Sequence, residues 1–142
     1  LGIDVAVIDF FDNDARLAKP ASLDAEYAKE SLLGTATGGR TPLADALRLA
    51  RTVSEARRSS NQRSLIISMT DDKPDDTEAV KEEIQRAHTP VCSLTIATDC
   101  RKGNPPAKSQ QLQSAYTISD TVFDPNELDD RLDAFASLLG RF

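Results

Sequence analysis

Short apolar runs that leave no polar face are the feature that most restricts how this chain can fold. "DVAVIDFF" at residues 4–11, "SLIISMT" at 64–70 and "VCSLTIAT" at 91–98 carry apolar side chains on both faces. Strands of this kind are typical of parallel sheets that helices cover on both sides. "AYTISDTVF" at 115–123 is a weaker strand pattern, which we place nearer an edge of the sheet.

Helical patterns separate these strands. Apolar residues recur at three- and four-residue spacing after Pro42 and again after Thr77, as on the buried face of a helix. Asp75 precedes Glu78 by three residues, the spacing of a capping box. Both segments therefore predict helices with defined starts.

Three further segments complete the predicted order of elements. "DPNELDDRLDAFASLL" predicts a last helix that Asp124 caps and in which Pro125 takes the first position. "LDAEYAKESLL" at 23–33 predicts another helix, and the polar stretch at 101–111 predicts a loop. Strands that alternate with helices imply one α/β domain over residues 1–142, with a mostly parallel sheet and helices on both of its faces.

In an open α/β sheet, ligands bind beyond the carboxyl ends of the strands. Here the loops concerned follow Phe11, Thr70 and Thr98. The loop "TDDKPDD" at 70–76 holds four carboxylates, of which Asp75 and Asp76 are explained by a solvated loop and a helix cap. Asp71 differs because it follows a buried strand directly, where an oxygen ligand suits a hard cation such as Mg²⁺.

A threonine at the start of a helix is the second candidate ligand. In "GGRTPLADALRLA" at 38–50, Thr41 takes the N-cap position and Pro42 the first helical position. A capping threonine contributes about 1 kcal/mol by accepting a backbone N–H bond. Its oxygen keeps lone pairs that could also bind a cation, and Gly38 and Gly39 would let the backbone approach closely.

Four segments in this order and spacing resemble a von Willebrand factor A-type (vWA) domain: "GTATGGRTPLADALRLA", "RSLIISMTDDKPDD", "HTPVCSLTIATD" and "FDPNELDDRLDAFASLL". The resemblance implies a three-layer, Rossmann-like fold and a metal-ion-dependent adhesion site for Mg²⁺ or Mn²⁺. Thr41 and Asp71 match two of that site's ligand positions. An acidic side chain of a partner protein would complete the coordination.

The sequence departs from the vWA pattern in two places. Asp72 stands where the family's "T-D-G" has glycine, and it either adds negative charge near the site or points to water. No D-x-S-x-S occurs, and the strand at 4–11 resembles the family's second strand. We therefore expect the central first strand to be missing and an upstream segment of ~35–45 residues to supply it with the serine ligands.

Composition restricts the partners. The net charge is −6, which disfavours a nucleic-acid partner, and no apolar run is long enough to span a membrane. Cys92 and Cys100 are separated by an extended strand, so a disulfide between them is not expected. Free thiols and the lack of a visible signal peptide favour a cytoplasmic location.

Two alternatives to a metal-dependent interaction module stay open. The missing serines allow a metal-free structural or scaffolding vWA-like subunit. "FFDNDAR" allows a haloacid-dehalogenase-like phosphatase in which Asp12 attacks and Asp14 acts as the acid, although Arg16 departs from that family's pattern. Otherwise we expect a non-enzyme, and the vWA resemblance also admits an ATP-driven chelatase or remodelling motor as the partner.

Overall fold

The computed structural model describes residues 5–11, 14–22, 42–56, 63–100, 104 and 107–141. The described elements are, in chain order, β1 (Val5–Phe11), β2 (Asp14–Ser22), α1 (Leu43–Ala56), β3 (Ile66–Thr70), α2 (Thr77–Arg86), β4 (Val91–Ile96), α3 (Ala107–Leu112), β5 (Ile118–Val122), a 3₁₀ turn (Pro125–Glu127) and α4 (Leu128–Leu139). The chain divides into two compact units. The hairpin unit comprises Leu1–Ser64 and Pro74–Glu83, and the sheet unit comprises Leu65–Lys73 and Ile84–Phe142.

In the hairpin unit, β1 pairs antiparallel with β2, and α1 packs against both strands. The sequence predicted a parallel strand at 4–11 followed by a polar turn, so the pairing of Phe11 with Asp14 corrects that prediction. Only two residues separate the strands, and so short a connection can join antiparallel neighbours but not parallel ones. β2 was not predicted because the polar residues of "DARLAKPAS" leave no apolar run.

The sheet unit is built on a parallel sheet in the order β3-β4-β5, as the apolar runs predicted. Every β4 residue from Val91 to Thr95 is buried, because helices cover both faces of this strand. On one face Cys92 and Leu94 pack against Phe135 of α4. On the other, the hydroxyls of Thr95 and of Ser109 in α3 lie 3.5 Å apart.

Helix α3 corrects the prediction of a polar loop at 101–111. Its last residue, Leu112, is completely buried, which fixes the short helix against the unit's core. The prolines at 105 and 106 had indicated a loop, yet proline is compatible with the residues just before a helix and with its first turn. The helix predicted at 23–33 lies outside the described residues.

The starts predicted near Thr77 and after Asp124 are present, with one change of capping residue, whereas the predicted N-cap Thr41 lies outside the described residues. Asp76, not Asp75, caps α2: its Oδ1 accepts a hydrogen bond of 3.0 Å from the Ala79 N–H. Asp124 caps the last helical segment through the Asn126 N–H at 2.9 Å, although the first turn is 3₁₀. None of the described helices has the length and apolar character needed to cross a membrane.

Candidate functional site

Asp71 lies where the sequence placed it, directly after β3 at the carboxyl edge of the parallel sheet, and it is exposed. Its Oδ1 accepts hydrogen bonds from the Lys73 N–H at 3.2 Å and from the Thr70 hydroxyl at 3.5 Å. These hydrogen bonds form a short turn, because an aspartate side chain commonly accepts a hydrogen bond from the backbone N–H two residues further on. The arrangement holds one carboxylate group at the rim of the sheet.

Asp72 is buried in the sheet unit, so the predicted alternative that its side chain points to water is wrong. It is 0 % exposed, and its Oδ1 accepts a hydrogen bond of 2.9 Å from the Tyr116 hydroxyl. The Thr95 hydroxyl donates to its Oδ2 at 3.4 Å. A buried carboxylate with these partners anchors the turn that carries Asp71.

The backbone of Asp72 explains why the vWA pattern has glycine at this position. Its φ is 56°, in the left-handed region that residues with a Cβ seldom adopt. Aspartate tolerates this region better than most residues because its short side chain can form local or buried hydrogen bonds. Here the Asp72 N–H also donates to the Thr70 hydroxyl at 3.3 Å. The substitution therefore keeps the turn and adds a tether beneath it.

Burial dominates the electrostatics of this tether. It raises the pKa of Asp72, and the nearby Asp71 raises it further, while hydrogen bonds from Tyr116, Ser109 and Thr95 oppose the shift. Burial, followed by the charge of Asp72, also raises the pKa of Tyr116. The phenol therefore keeps its proton and serves Asp72 as a hydrogen-bond donor.

A second charged group lies beside Asp71 at the same rim. The Lys73 ammonium is 2.6 Å from Asp99 Oδ2, just beyond the end of β4. The hydrogen bond to Asp99 raises the pKa of Lys73, and the charge of Asp71 adds to this shift. The same bond lowers the pKa of Asp99. The rim thus combines carboxylates with a resident cation, which the sequence had not indicated.

The remaining candidate residues are Thr41, Asp12, Asp14 and the two cysteines. Thr41 and Asp12 lie outside the described residues, and Asp14 is the first residue of β2. Cys92 and Cys100 are both free, which confirms the expected lack of a disulfide. Across the described ranges, no three acidic, histidine or cysteine residues are grouped so that they could hold a metal ion.

A buried acid in the hairpin unit also escaped the sequence reasoning. Glu83 on α2 is 2 % exposed and accepts hydrogen bonds from Arg48 Nε at 3.0 Å and Arg51 Nη2 at 3.3 Å. Both arginines are on α1, three residues apart, so they share one helix face. The cluster joins α1 to α2 and explains a charged residue on the buried face of α2.

Comparison with solved structures identifies the fold. BatB, a conserved hypothetical protein from Bacteroides thetaiotaomicron, has a TM-score of 0.70 at 17 % identity, over 98 % of this chain and 80 % of that one. A von Willebrand factor type A structure from Catenulispora acidiphila has a TM-score of 0.65 at 18 % identity, over 92 % of this chain. The SpRpn10 VWA domain has a TM-score of 0.63 at 11 % identity, over 84 % of this chain.

This chain spans 64 % of the SpRpn10 chain and 32 % of the Catenulispora chain. No protein-family model matches the sequence, and no curated protein matches it either. At identities below 20 % the three structures establish the fold and leave the activity to the chemistry of the site. The fold is of the vWA type, as the resemblance of the sequence predicted.

Proposed function

We propose that this chain, with its vWA-type fold, is a protein-interaction module that contacts its partner at the rim where β3 and β4 end. The observation that carries the proposal is the exposed Asp71 on a turn that the buried Asp72 tethers to Tyr116. Ordering a flexible side chain lowers affinity, so a rim that is fixed before binding favours recognition. The position also obeys the rule that places ligands beyond the carboxyl ends of parallel strands.

A finer proposal adds a divalent cation. Mg²⁺ or Mn²⁺ would be held by Asp71 and Thr41 together with the serine ligands of the vWA pattern, and only if those serines are present; an acidic side chain of the partner would complete its coordination. The support is the vWA-type fold and the exposed Asp71 at the expected position. Mg²⁺ prefers about six oxygen ligands. The described residues supply one of the predicted ligands, so by themselves they do not fit the ion.

A metal-free module is the second candidate, and Lys73 is the observation that favours it. Its ammonium group lies 2.6 Å from Asp99, and the charge of Asp71 adds to the rise in its pKa. A positive charge held here repels an incoming cation and offers a partner's carboxylate a direct ion pair. An ATP-driven chelatase or remodelling motor is the class of partner that the resemblance suggests for either form.

Titration calorimetry with Mg²⁺, and separately with Mn²⁺, tests the metal-dependent form. With those serine ligands of the vWA pattern present, the protein should release or absorb heat, and Thr41→Ala and Asp71→Ala should abolish that signal. Asp75→Ala is the matched control, because Asp75 is an exposed acid in the same loop. Equal heats in all four proteins would overturn the metal proposal and leave the metal-free module standing.

A glutamate-rich peptide then tests the module itself. If a metal mediates binding, EDTA should abolish it and Lys73→Met should leave it unchanged or tighten it. If Lys73 meets the carboxylate, binding should persist in EDTA and weaken at least tenfold in Lys73→Met. Peptide binding that Asp71→Ala and Lys73→Met both leave unchanged would remove the rim from the proposal.

A further inference from the structure

Each strand of the parallel sheet carries the same short hydroxyl pattern. Ser-x-Thr occurs at residues 68–70 in β3, 93–95 in β4 and 119–121 in β5. The register aligns these copies, so that the serines form one row across the sheet and the threonines form the next row. Side chains two residues apart share a face of a strand, so both rows lie on the same face. This face of the sheet unit is therefore lined with hydroxyl groups.

The serine row is buried where it crosses β3 and β4. Ser68 is 6 % exposed and Ser93 is 0 % exposed, whereas Ser119 on the third strand is exposed. Among the described residues, neither the Ser68 hydroxyl nor the Ser93 hydroxyl has a hydrogen-bond partner. The large majority of buried polar side-chain atoms in folded proteins are hydrogen-bonded, either to the protein or to ordered water. Two buried hydroxyls without a protein partner, side by side in one row, therefore point to a bound polar molecule.

Thr95, in the next row, has partners within the protein. Its hydroxyl donates to Asp72 Oδ2 at 3.4 Å and lies 3.5 Å from the Ser109 hydroxyl. The other oxygen of Asp72 accepts a hydrogen bond of 2.9 Å from the Tyr116 hydroxyl. All of these groups, and both buried serines, belong to the sheet unit. The serine row therefore adjoins a hydrogen-bonded network that it does not join directly.

The spacing of the strands explains why the two serines do not bond to each other. Ser68 and Ser93 are aligned on neighbouring strands, and such strands lie about 4.8 Å apart. A hydrogen bond between two hydroxyl oxygens is about 2.8 Å long, so aligned hydroxyls at the strand spacing are too far apart to form one. One water molecule that makes two such bonds at a roughly tetrahedral angle spans about 4.5 Å. The separation of the two serines therefore matches a single bridging water.

The Tyr116 phenol supplies a third polar group beside Ser93. Burial and then Asp72 raise the pKa of Tyr116, and Ser93 opposes this shift, so the two hydroxyl groups are neighbours. Ser93 Oγ is nevertheless not in hydrogen-bonding geometry with the phenol. The phenol donates its proton to Asp72 and keeps lone pairs on its oxygen as acceptors. A water molecule next to Ser93 can donate to that oxygen.

We propose that the sheet unit binds one structural water molecule between β3 and β4, hydrogen-bonded to the hydroxyls of Ser68, Ser93 and Tyr116. Three polar partners are the number that buried waters in proteins typically have. The water satisfies both serines and connects their row to the network that holds Asp72. The inference is independent of the proposed rim function, because both serines are buried and neither is available to a partner protein.

Replacement of the serines by alanine tests whether the hydroxyls are bonded. A hydroxyl that is bonded to water stabilises the fold, whereas one that is buried without any partner destabilises it. Ser68→Ala and Ser93→Ala should therefore each lower the midpoint of urea unfolding. The double variant should lose less than the sum of the single losses, because either substitution breaks the same bridge. Ser119→Ala is the matched control, since Ser119 is the exposed member of the same row and its loss should change the midpoint little. A higher midpoint in Ser93→Ala, or strictly additive losses in the double variant, would overturn the proposal.

Oxygen-17 magnetic relaxation dispersion gives a second measurement, because it counts the long-lived water molecules inside a protein. The unmodified chain should hold one such water more than the Ser68→Ala/Ser93→Ala variant, in which the site keeps a single polar partner and a water needs at least two. Waters bound elsewhere are present in both proteins and cancel in the difference. Ser119→Ala should keep the count of the unmodified chain. Equal counts in the unmodified chain and the double variant would disprove the water site.

Discussion

The hairpin unit and the sheet unit each contain a buried acidic side chain, and the two carboxylates are stabilised in different ways. Glu83 in the hairpin unit is 2 % exposed and is paired with two arginines, Arg48 and Arg51. Asp72 in the sheet unit is 0 % exposed, and its hydrogen-bond donors are the hydroxyls of Tyr116 and Thr95. One carboxylate is compensated by charge and the other by neutral donors.

The difference follows from access to water. The side chain of Arg48 is 53 % exposed and that of Arg51 is 23 % exposed, so the charges that meet Glu83 keep part of their hydration. Asp72 reaches the interior of its unit, where an arginine would have to give up far more of its own hydration. Burying a neutral hydroxyl costs less hydration than burying a charged group. The hydroxyl donors offset the burial of the Asp72 carboxylate only in part, so its pKa is raised. The two sites should therefore respond differently to the same kind of substitution.

The largest effect is expected at Asp72. Asp72→Ala leaves the Tyr116 and Thr95 hydroxyls without their acceptor inside the unit, and the φ of 56° is unfavourable for alanine. The free energy of unfolding should fall by about 3 kcal/mol, measured by urea denaturation. Asp72→Asn is the control, because asparagine tolerates this φ and keeps an acceptor oxygen. It should lose about 1 kcal/mol, and equal losses in both variants would contradict the tether.

A smaller loss is expected at Glu83. Glu83→Ala removes the acceptor of two arginines, but their partial exposure lets water replace it. We expect the free energy of unfolding to fall by about 2 kcal/mol in the same urea experiment. Glu78→Gln is the matched control, because Glu78 is exposed on the same helix and pairs with the partly exposed Lys81 at 3.3 Å. If Glu83→Ala costs more than Asp72→Ala, charge pairing is the stronger of the two devices.

The dependence of stability on pH further distinguishes a buried carboxylate that is paired with arginines from one that accepts hydrogen bonds from hydroxyls. Because burial raises the pKa of Asp72 above its ordinary value of 3.8, folding favours the protonated carboxyl. Its contribution to stability is present below that ordinary pKa and is lost as the pH rises through the folded pKa. The stability of the unmodified chain relative to Asp72→Asn should therefore fall as the pH rises above 3.8.

Urea titrations of both proteins at a series of pH values measure this difference. Asp99, whose pKa is lowered by Lys73, contributes stability in the opposite direction, since that contribution is lost as the pH falls. It is present in both proteins and cancels in the comparison. A difference that stays constant or grows with pH would contradict the direction assigned to Asp72.

The main elements of the sheet unit could be predicted because their signals are local. Apolar runs marked β3 and β4, and Asp124 marked the last helical segment. β2 was missed because a polar strand in a hairpin lacks an apolar run. α3 was missed because its one buried apolar anchor, Leu112, stands among polar residues.

In the candidate site, too, one part could be predicted from the sequence and another could not. The position of Asp71 follows from the end of a strand, so the sequence placed it correctly. The burial of Asp72 depends on Thr95 and Tyr116, which are 23 and 44 residues away along the chain. Separations of that size leave no local pattern. The one available signal was an aspartate where the vWA pattern has glycine, which indicates a positive φ and a side chain that needs partners.

The smallest effect on stability is expected at Lys73, because its ion pair is exposed whereas Glu83 and Asp72 are buried. The side chains of Lys73 and Asp99 are 40 % and 62 % exposed, so water screens their 2.6 Å ion pair. Lys73→Met should lower the midpoint of urea unfolding only slightly at low salt, and the difference should disappear near 1 M NaCl. Lys73→Arg, which keeps the charge, should match the unmodified chain. A loss that survives high salt would mean that the rim pair is sheltered like Asp72, and the rim would then be part of the folded core rather than a surface free to bind a partner.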